Sequence, residues 1–103
     1  MLFKIFPYNH RYHNQVLQLI THIQQVEFEM SITVLDQPDL NAIEIFYQKG
    51  NGNFWVAVIG DEVVGSIALI DIENSQVALR KMYVKKEYRK MHVAQQLLDV
   101  AIL

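Results

Sequence analysis

Three β-rich segments joined by short turns constrain the fold of this chain more than any other feature of its sequence. The first, NFWVAVI at residues 53–59, is apolar at consecutive positions, which is typical of a central strand covered on both faces. Gly60 and Asp61 form a typical two-residue hairpin turn, and a second strand is predicted over residues 62–72. After another turn, a third strand is predicted over residues 76–84. The pattern predicts a mainly antiparallel sheet.

Another strand and two helices are predicted before these segments. Residues 2–6 form a short candidate strand that Pro7 ends, and Asn9 is a candidate N-cap for the helix that follows. The apolar residues of this helix recur at spacings of three and four: Tyr12, Val16, Leu19, Ile20, Ile23 and Val26. A second helix is predicted between a cap at Asp36 and a stop at Gly50. Its predicted buried stripe comprises Leu40, Ile43, Phe46 and Tyr47.

These elements and a third helix, predicted to begin near His92, define the expected architecture. The fold class is predicted to be α+β, with a mainly antiparallel four-stranded sheet in sequence order and three helices. Residues 1–103 are interpreted as one domain, because a chain of this length buries roughly 60–70% of its unfolded surface and holds one core.

Side-chain alternation changes within the last predicted strand. Val77 and Leu79 place apolar residues at odd-numbered positions, whereas Met82 and Val84 place them at even-numbered positions. Because side chains alternate strictly between the two faces of a strand, this change predicts a β-bulge at residues 80–81. A bulge leaves backbone groups unpaired, so a ligand that carries amides could pair with this strand edge.

Basic residues are concentrated in one loop. Six of the nine fall within residues 80–90, between the last predicted strand and the last helix, whereas ten of the eleven carboxylates lie elsewhere. A helix N-terminus adds backbone N–H groups and a positive dipole end, which attract phosphate or pyrophosphate. The formal net charge of −2 and the confinement of the basic residues to one loop argue against a nucleic-acid-binding face.

The composition argues against several classes of site and location. The chain has no cysteine, which rules out disulfides, thiolate metal sites and a cysteine nucleophile. No apolar run approaches the ~18–20 residues needed to span a bilayer, and the N-terminal residues lack the layout of a signal peptide. A cytoplasmic protein with no membrane partner is therefore expected.

The order of the predicted elements, together with the motif RKMHVA at residues 89–94, resembles the N-terminal part of the GCN5-related N-acetyltransferase (GNAT) superfamily. The coenzyme A signature of this family is Arg or Gln, two residues, Gly, one residue, and then Gly or Ala. Arg89 and Ala94 match the signature, whereas His92 stands where the family normally has glycine. The resemblance covers nearly all of the chain.

The resemblance implies a coenzyme A site along the bulged strand and the basic loop. Backbone groups of Met82 and Val84 would pair with the pantetheine arm, and N–H groups of residues 89–94 would hold the pyrophosphate. The full set of implied cofactor-binding residues is Met82, Tyr83, Val84, Arg89, Lys90, Met91, His92, Val93 and Ala94. The ring of His92 could block the phosphate, or it could lie aside while the backbone N–H still donates.

The function that the resemblance implies is acetyl-CoA-dependent N-acetyl transfer to an amine, with a small-molecule or peptide acceptor. In the family the amine attacks the thioester directly, and a backbone N–H at the bulged strand polarises the carbonyl. A carboxylate or an ordered water removes the proton. The family's remaining strands and following helix, which often supply a tyrosine, have no counterpart in these 103 residues, so the chain is interpreted as truncated.

Candidates for a catalytic base are few. Glu27 and Glu29 fall where family members often contact the acceptor, while Asp71 and Glu73 close a hairpin; a solvated surface carboxylate is the favoured interpretation of each. No metal site is predicted, because no cysteine or nearby carboxylate completes a ligand set for the histidines. No G-x-S-x-G motif supports serine catalysis.

Two hypotheses from other classes accompany the enzyme hypothesis. The chain could be a catalytically inactive fragment that binds coenzyme A or another polyphosphate, or an interaction module that recruits a partner through its sheet edge. In either case, an unfinished sheet edge favours association. A homodimer that covers this edge is expected.

Overall fold

The computed structural model describes residues 2–102, which form a four-stranded antiparallel sheet with helices packed on both faces. The strands pair in sequence order, as predicted: β1 (Lys4–Pro7), β2 (Asn53–Ile59), β3 (Glu62–Asp71) and β4 (Val77–Val84). The helices are α1 (His13–His22), α2 (Ile43–Phe46) and α3 (Val93–Ile102). The predicted α+β class and strand order are confirmed. No helix within residues 2–102 is long and apolar enough to cross a membrane.

The first helical segment follows the predicted spacing but is not one uniform helix. Asn9 Oδ1 accepts a hydrogen bond from Arg11 N–H at 3.0 Å, so the predicted N-cap is confirmed at the start of a 3₁₀ turn that leads into α1. A π-helical turn over Ile23–Glu27 continues α1. The predicted stripe is buried except at its end, where Val26 is 62% exposed.

The second predicted helix is broken into short pieces, so the prediction of a continuous helix is wrong. Residues Val34–Asp36 and Pro38–Asn41 form 3₁₀ turns, and α2 is a single α-helical turn. Ala42, with φ −145° and ψ 52°, interrupts the helical backbone between them. The predicted stripe is buried at Leu40, Ile43 and Tyr47, whereas Phe46 is 38% exposed.

Two apolar clusters hold the layers together, one on each face of the sheet. The larger cluster packs α1 and α2 against one face, around Phe54. The smaller packs Val93 and Leu97 of α3 against the other face, where Trp55 is partly buried. Gly65 lets α3 approach the sheet, because a Cβ there would lie 3.1 Å from Leu97 and 3.2 Å from Val93.

Candidate functional site

Strand β4 contains the predicted bulge. Ser66 faces Tyr83 and Ala68 faces Arg80, so two residues of β4, Lys81 and Met82, lie opposite one residue of β3. Lys81 has a φ of +51°. Beyond the bulge, Met82 and Val84 of the predicted even-numbered apolar face belong to the cluster that includes α3. Before the bulge, Val77 and Leu79 are 40% and 41% exposed rather than buried. The other edge of β4 has no partner strand among residues 2–102.

Helix α3 begins directly after a residue in the left-handed conformation. His92 has φ 62° and ψ 22°, and its carbonyl accepts the first intrahelical bond, from Gln96 N–H at 3.1 Å. The N–H groups of Val93, Ala94 and Gln95 have no backbone acceptor in the described part of the chain. Three donors therefore lie together at the positive end of a helix, immediately after the basic loop.

The Arg89 side chain makes three hydrogen bonds within the protein. Its Nε donates to the Val84 carbonyl at 2.9 Å, and its two terminal nitrogens form a bidentate pair with the Glu27 carboxylate at 2.6 and 2.9 Å. This pair ties the loop after β4 to the end of the first helical segment, across 62 positions in sequence. The contact joins two residues that the sequence suggested for different roles, one for pyrophosphate and one as a base.

The other cations of the loop divide into paired and unpaired groups. Lys85 Nζ lies 2.5 Å from Glu62 Oε2. Lys86 and Lys90 are exposed and form no ion pair with any residue in the described range. These two ammonium groups are therefore available to an incoming anion.

The candidate carboxylates differ in what surrounds them. Hydrogen bonds from Arg89 hold the pKa of Glu27 below its ordinary value, which makes this carboxylate a weaker base. Glu29 is exposed with a φ of +53°. Asp71 accepts hydrogen bonds from the N–H groups of Asn51 and Glu73, and these bonds lower its pKa. Its carboxylate therefore stabilises the adjoining turns.

A buried polar cluster lies beneath the bulge, on the face covered by α1 and α2. Lys81 Nζ contacts Gln37 Oε1 at 2.6 Å and Asp39 Oδ2 at 3.4 Å, and the two charged side chains are only 15% and 19% exposed. The amides of Gln24 and Gln37 donate to each other at 3.0 and 2.8 Å. The bulge cluster comprises Gln24, Gln37, Asp39, Tyr47, Ser66, Lys81 and Tyr83.

Three further bonds complete the bulge cluster. Gln24 donates to the Tyr83 hydroxyl at 2.9 Å, and Ser66 Oγ donates to the Lys81 carbonyl at 2.8 Å. The Tyr47 hydroxyl donates to Asp39 Oδ2, and burial followed by this bond raises the pKa of Tyr47. Sequence reasoning missed this cluster, since only the predicted bulge at Lys81 pointed to its location.

A separate cleft of about 440 Å³ lies between α1 and the turn that follows β4. Its floor is apolar, formed by Leu19, Ile23 and Val63, and its rim carries Lys86 and Glu87. Among the cofactor-binding and catalytic candidates that the sequence singled out, Glu27 is the one that lines this cleft. The cleft therefore adjoins the basic loop through Lys86, but its lining includes no residue of β4 or α3.

The histidines and carboxylates do not form a metal centre within residues 2–102, where no group of three or more potential ligands converges. The rings of His10 and His13 stack with centroids 5.1 Å apart. His13 Nε2 lies 3.2 Å from the Leu40 carbonyl, and His22 lies at the rim of the cleft.

Comparison with known proteins identifies the family of this chain. A family model described as an acetyltransferase (GNAT) domain matches residues 50–103, which include β4, the basic loop and α3. The chain belongs to the GNAT acetyltransferase family. This GNAT chain gave no match among curated protein sequences.

Solved structures extend the likeness to nearly the whole chain. A GNAT-family acetyltransferase from Staphylococcus aureus is 39% identical with a TM-score of 0.94, covering 98% of this chain and 65% of that one. An acetyltransferase from Streptococcus agalactiae is 33% identical with a TM-score of 0.89, covering 97% and 63%. A predicted acetyltransferase from Clostridium acetobutylicum, solved with acetyl-CoA, has a TM-score of 0.77 at 11% identity and shows the fold alone. The chain thus spans slightly less than two thirds of the length of the first two proteins.

Proposed function

We propose that this GNAT chain takes part in acetyl-CoA-dependent N-acetyl transfer to a small-molecule or peptide amine. The observation that carries the proposal is the continuity between a bulged, unpartnered strand edge and a helix start with three N–H donors. An elongated ligand with amides at one end and a pyrophosphate at the other matches that sequence of groups. The acetyl-CoA in the Clostridium acetobutylicum structure supports the choice of ligand.

Different residues of the chain would bind different parts of acetyl-CoA. Backbone groups of Met82 and Val84 pair with the amides of the ligand, as in β-sheet pairing. The N–H groups at the start of α3 hold the pyrophosphate, and Lys86 and Lys90 add positive charge. When bound, acetyl-CoA supplies the activated acyl group.

The Arg89 side chain has a different role in this proposal from the one suggested by the motif. Its guanidinium is bound to Glu27 and the Val84 carbonyl, so it holds the loop in shape instead of contacting phosphate. Glu29 is the carboxylate that stays available as a base, because Glu27 is bound by Arg89 and its pKa is lowered.

Isothermal titration of acetyl-CoA into the purified chain tests the proposal directly. We expect saturable binding that adenosine diphosphate weakens by competition, because both ligands present a pyrophosphate to the start of α3. Absence of heat at high micromolar ligand would contradict coenzyme binding by this chain.

Replacing His92 with glycine is expected to stabilise the chain by about 1 kcal/mol and to tighten coenzyme binding. The left-handed conformation at φ 62° is strained for a residue with a Cβ, whereas glycine adopts it without strain. Urea unfolding and calorimetric titration would measure the two effects. The control is His92→Ala, which removes the ring and keeps the Cβ, so it should not stabilise. Unchanged affinity in His92→Gly would show that His92 does not obstruct the phosphate.

The Glu27–Arg89 pair is expected to make stability depend on pH in the acid range. The folded-state pKa of Glu27 lies below the ordinary value of 4.5, so the stabilisation is present above that pH and is lost as pH falls through the folded pKa. Urea midpoints of the native chain and Glu27→Gln should therefore differ at neutral pH and converge in acid. The control is Glu29→Gln, which removes a carboxylate that has no ion pair within residues 2–102. Its urea midpoint at neutral pH should differ less from that of the native chain.

A non-catalytic coenzyme A-binding role is the second candidate. It is favoured by the ion pair between Glu27 and Arg89, which engages one of the two candidate bases. Release of free thiol from acetyl-CoA in the presence of amine acceptors distinguishes the two roles, and the chain adds no background because it has no cysteine. Binding without thiol release across an acceptor screen would favour the second role.

We also propose that the chain forms a homodimer through the outer edge of β4 before the bulge, which leaves the backbone of Met82 and Val84 to the ligand. Backbone groups along this edge have no partner strand in the described range, and Ile72, Val77 and Leu79 expose apolar surface near it. Light scattering at micromolar concentration is expected to give twice the 12.0 kDa chain mass. A clean monomer mass would contradict the dimer.

A further inference from the structure

We propose that Lys81 and Ser66 are positioning residues that hold the bulge of β4 through the bulge cluster. In doing so they would aim a backbone N–H of β4 at the carbonyl of the acetyl thioester. This inference rests on the proposed function, because the thioester is the group being aimed at. Neither side chain touches the reacting atoms in this proposal, since both act through the backbone.

The bulge needs support because of the residue that occupies its left-handed position. Glycine adopts a positive φ in a bulge without strain, whereas Lys81 adopts φ +51° with a full side chain. A strained backbone persists only where surrounding contacts determine it. Lysine at this position therefore indicates that its side chain contributes something that glycine cannot.

The contacts of Lys81 fix it at both its backbone and its side chain. Ser66 Oγ, on the facing strand and fully buried, donates to the Lys81 carbonyl at 2.8 Å. The Lys81 ammonium is held by Gln37 and Asp39, which belong to the segment between α1 and α2. The bulge is thus tied to β3 on one side and to the helical layer on the other.

Tyr83, which follows Lys81 on the same face of β4, is also held by the bulge cluster. The Tyr83 hydroxyl accepts a hydrogen bond from Gln24, which is paired with Gln37. Both glutamines are almost fully buried. Hydrogen bonds among buried groups have few competing partners, so such a cluster favours one arrangement over alternatives. The peptide groups between Lys81 and Tyr83 are consequently held between two fixed side chains.

Amide hydrogen exchange in the free chain tests this role without any ligand. In Ser66→Ala, exchange should be about tenfold faster at Tyr83, which pairs with Ser66, and at Lys85, whose N–H donates to the Val64 carbonyl at 2.8 Å, because one buried hydrogen bond to the bulge is lost. Exchange along β2 should change much less. The matched control is Thr21→Ala, which removes a hydroxyl bonded to the Leu17 carbonyl at 2.6 Å, far from the bulge in sequence.

Infrared spectroscopy of bound acetyl-CoA, isotope-labelled at the acetyl carbonyl, then tests the consequence for the ligand. The carbonyl band should move to lower frequency on binding to the native chain, and Ser66→Ala and Lys81→Gly should lose part of that shift. Affinity for adenosine diphosphate should be unchanged, because its pyrophosphate needs only the start of α3, which is intact in both variants. Lys81→Gly is chosen because glycine tolerates the positive φ, so the bulge can form without the side chain.

The outcomes separate this inference from the proposed function. If bulge exchange in Ser66→Ala equals that in Thr21→Ala, the positioning role is overturned whether or not the chain binds acetyl-CoA. If exchange increases but the carbonyl shift is intact in both variants, the cluster supports the strand without aiming the N–H, and the inference is also overturned. Failure of the native chain to bind acetyl-CoA contradicts the proposed function, and with it the aiming step.

Discussion

Replacing Ala94 with glutamate is expected to weaken coenzyme A binding by about 100-fold. A carboxylate in the first turn of α3 would lie within ~5 Å of a pyrophosphate held there, and one like-charge pair at that distance costs about 3 kcal/mol at an effective dielectric constant near 20. Each 1.4 kcal/mol corresponds to a factor of ten in affinity. Calorimetric titration with acetyl-CoA would measure the loss.

The same substitution should change the stability of the fold little, because Ala94 is only partly buried against the smaller cluster and the helix dipole offsets the cost of the added carboxylate. An acidic side chain near a helix N-terminus interacts favourably with the helix dipole, typically by about 0.3–1 kcal/mol. Gln76→Glu is the matched control, because it adds the same charge to the exposed turn between β3 and β4. Loss of binding together with unchanged melting would locate the phosphates at α3. Native affinity in Ala94→Glu would place the anion elsewhere and contradict the proposed function.

Replacing Asp39 with alanine is expected to destabilise the chain by about 3–5 kcal/mol. The substitution leaves the Lys81 ammonium largely buried without its carboxylate, and it removes the acceptor of the Tyr47 hydroxyl. The ammonium then keeps only the neutral amide oxygen of Gln37, and the Tyr47 hydroxyl loses its acceptor, so the cost exceeds the value of an ordinary surface contact. Urea unfolding monitored by circular dichroism would give the change in the free energy of unfolding.

A surface ion pair provides the comparison for this effect. Glu62→Ala removes the partner of Lys85 in a pair whose side chains are 34% and 43% exposed, so a loss below about 1 kcal/mol is expected. The double variant Asp39→Ala with Lys81→Met should be more stable than Asp39→Ala alone, because no unpaired ammonium is then buried. Equal losses for Asp39→Ala and Glu62→Ala would show that the bulge cluster does not depend on its charges.

Local patterns in the sequence predicted the sheet and the bulge well. Strand β2 begins and ends at the predicted residues, the two-residue turn joins Ile59 to Glu62, and the change in alternation marks the bulge. Each depends on neighbouring residues, since alternation, turn chemistry and β propensity act within a few positions. The start of α3 was predicted for the same reason.

The second predicted helix shows where local patterns fail. Leu40, Ile43 and Tyr47 are buried at helical spacing, yet the backbone at Ala42 leaves the helical region. Asp39, next to Leu40, carries the carboxylate that pairs with Lys81 and accepts from Tyr47. A spacing argument predicts which side chains face the core, and it contains no information about a partner on a distant strand.

The amino-acid sequence by itself determined the order of the strands, the bulge, the basic loop and the motif at residues 89–94. Tertiary structure alone decided the partners of the charged and amide side chains. Arg89 meets Glu27 across 62 positions, and Lys81 meets Gln37 across 44. Such pairs form because folding places polar groups that are distant in sequence side by side, and those that are largely buried, such as Lys81 and Gln37, need a partner. For this reason Arg89 binds a carboxylate of its own chain, and a lysine in the bulge belongs to a buried cluster.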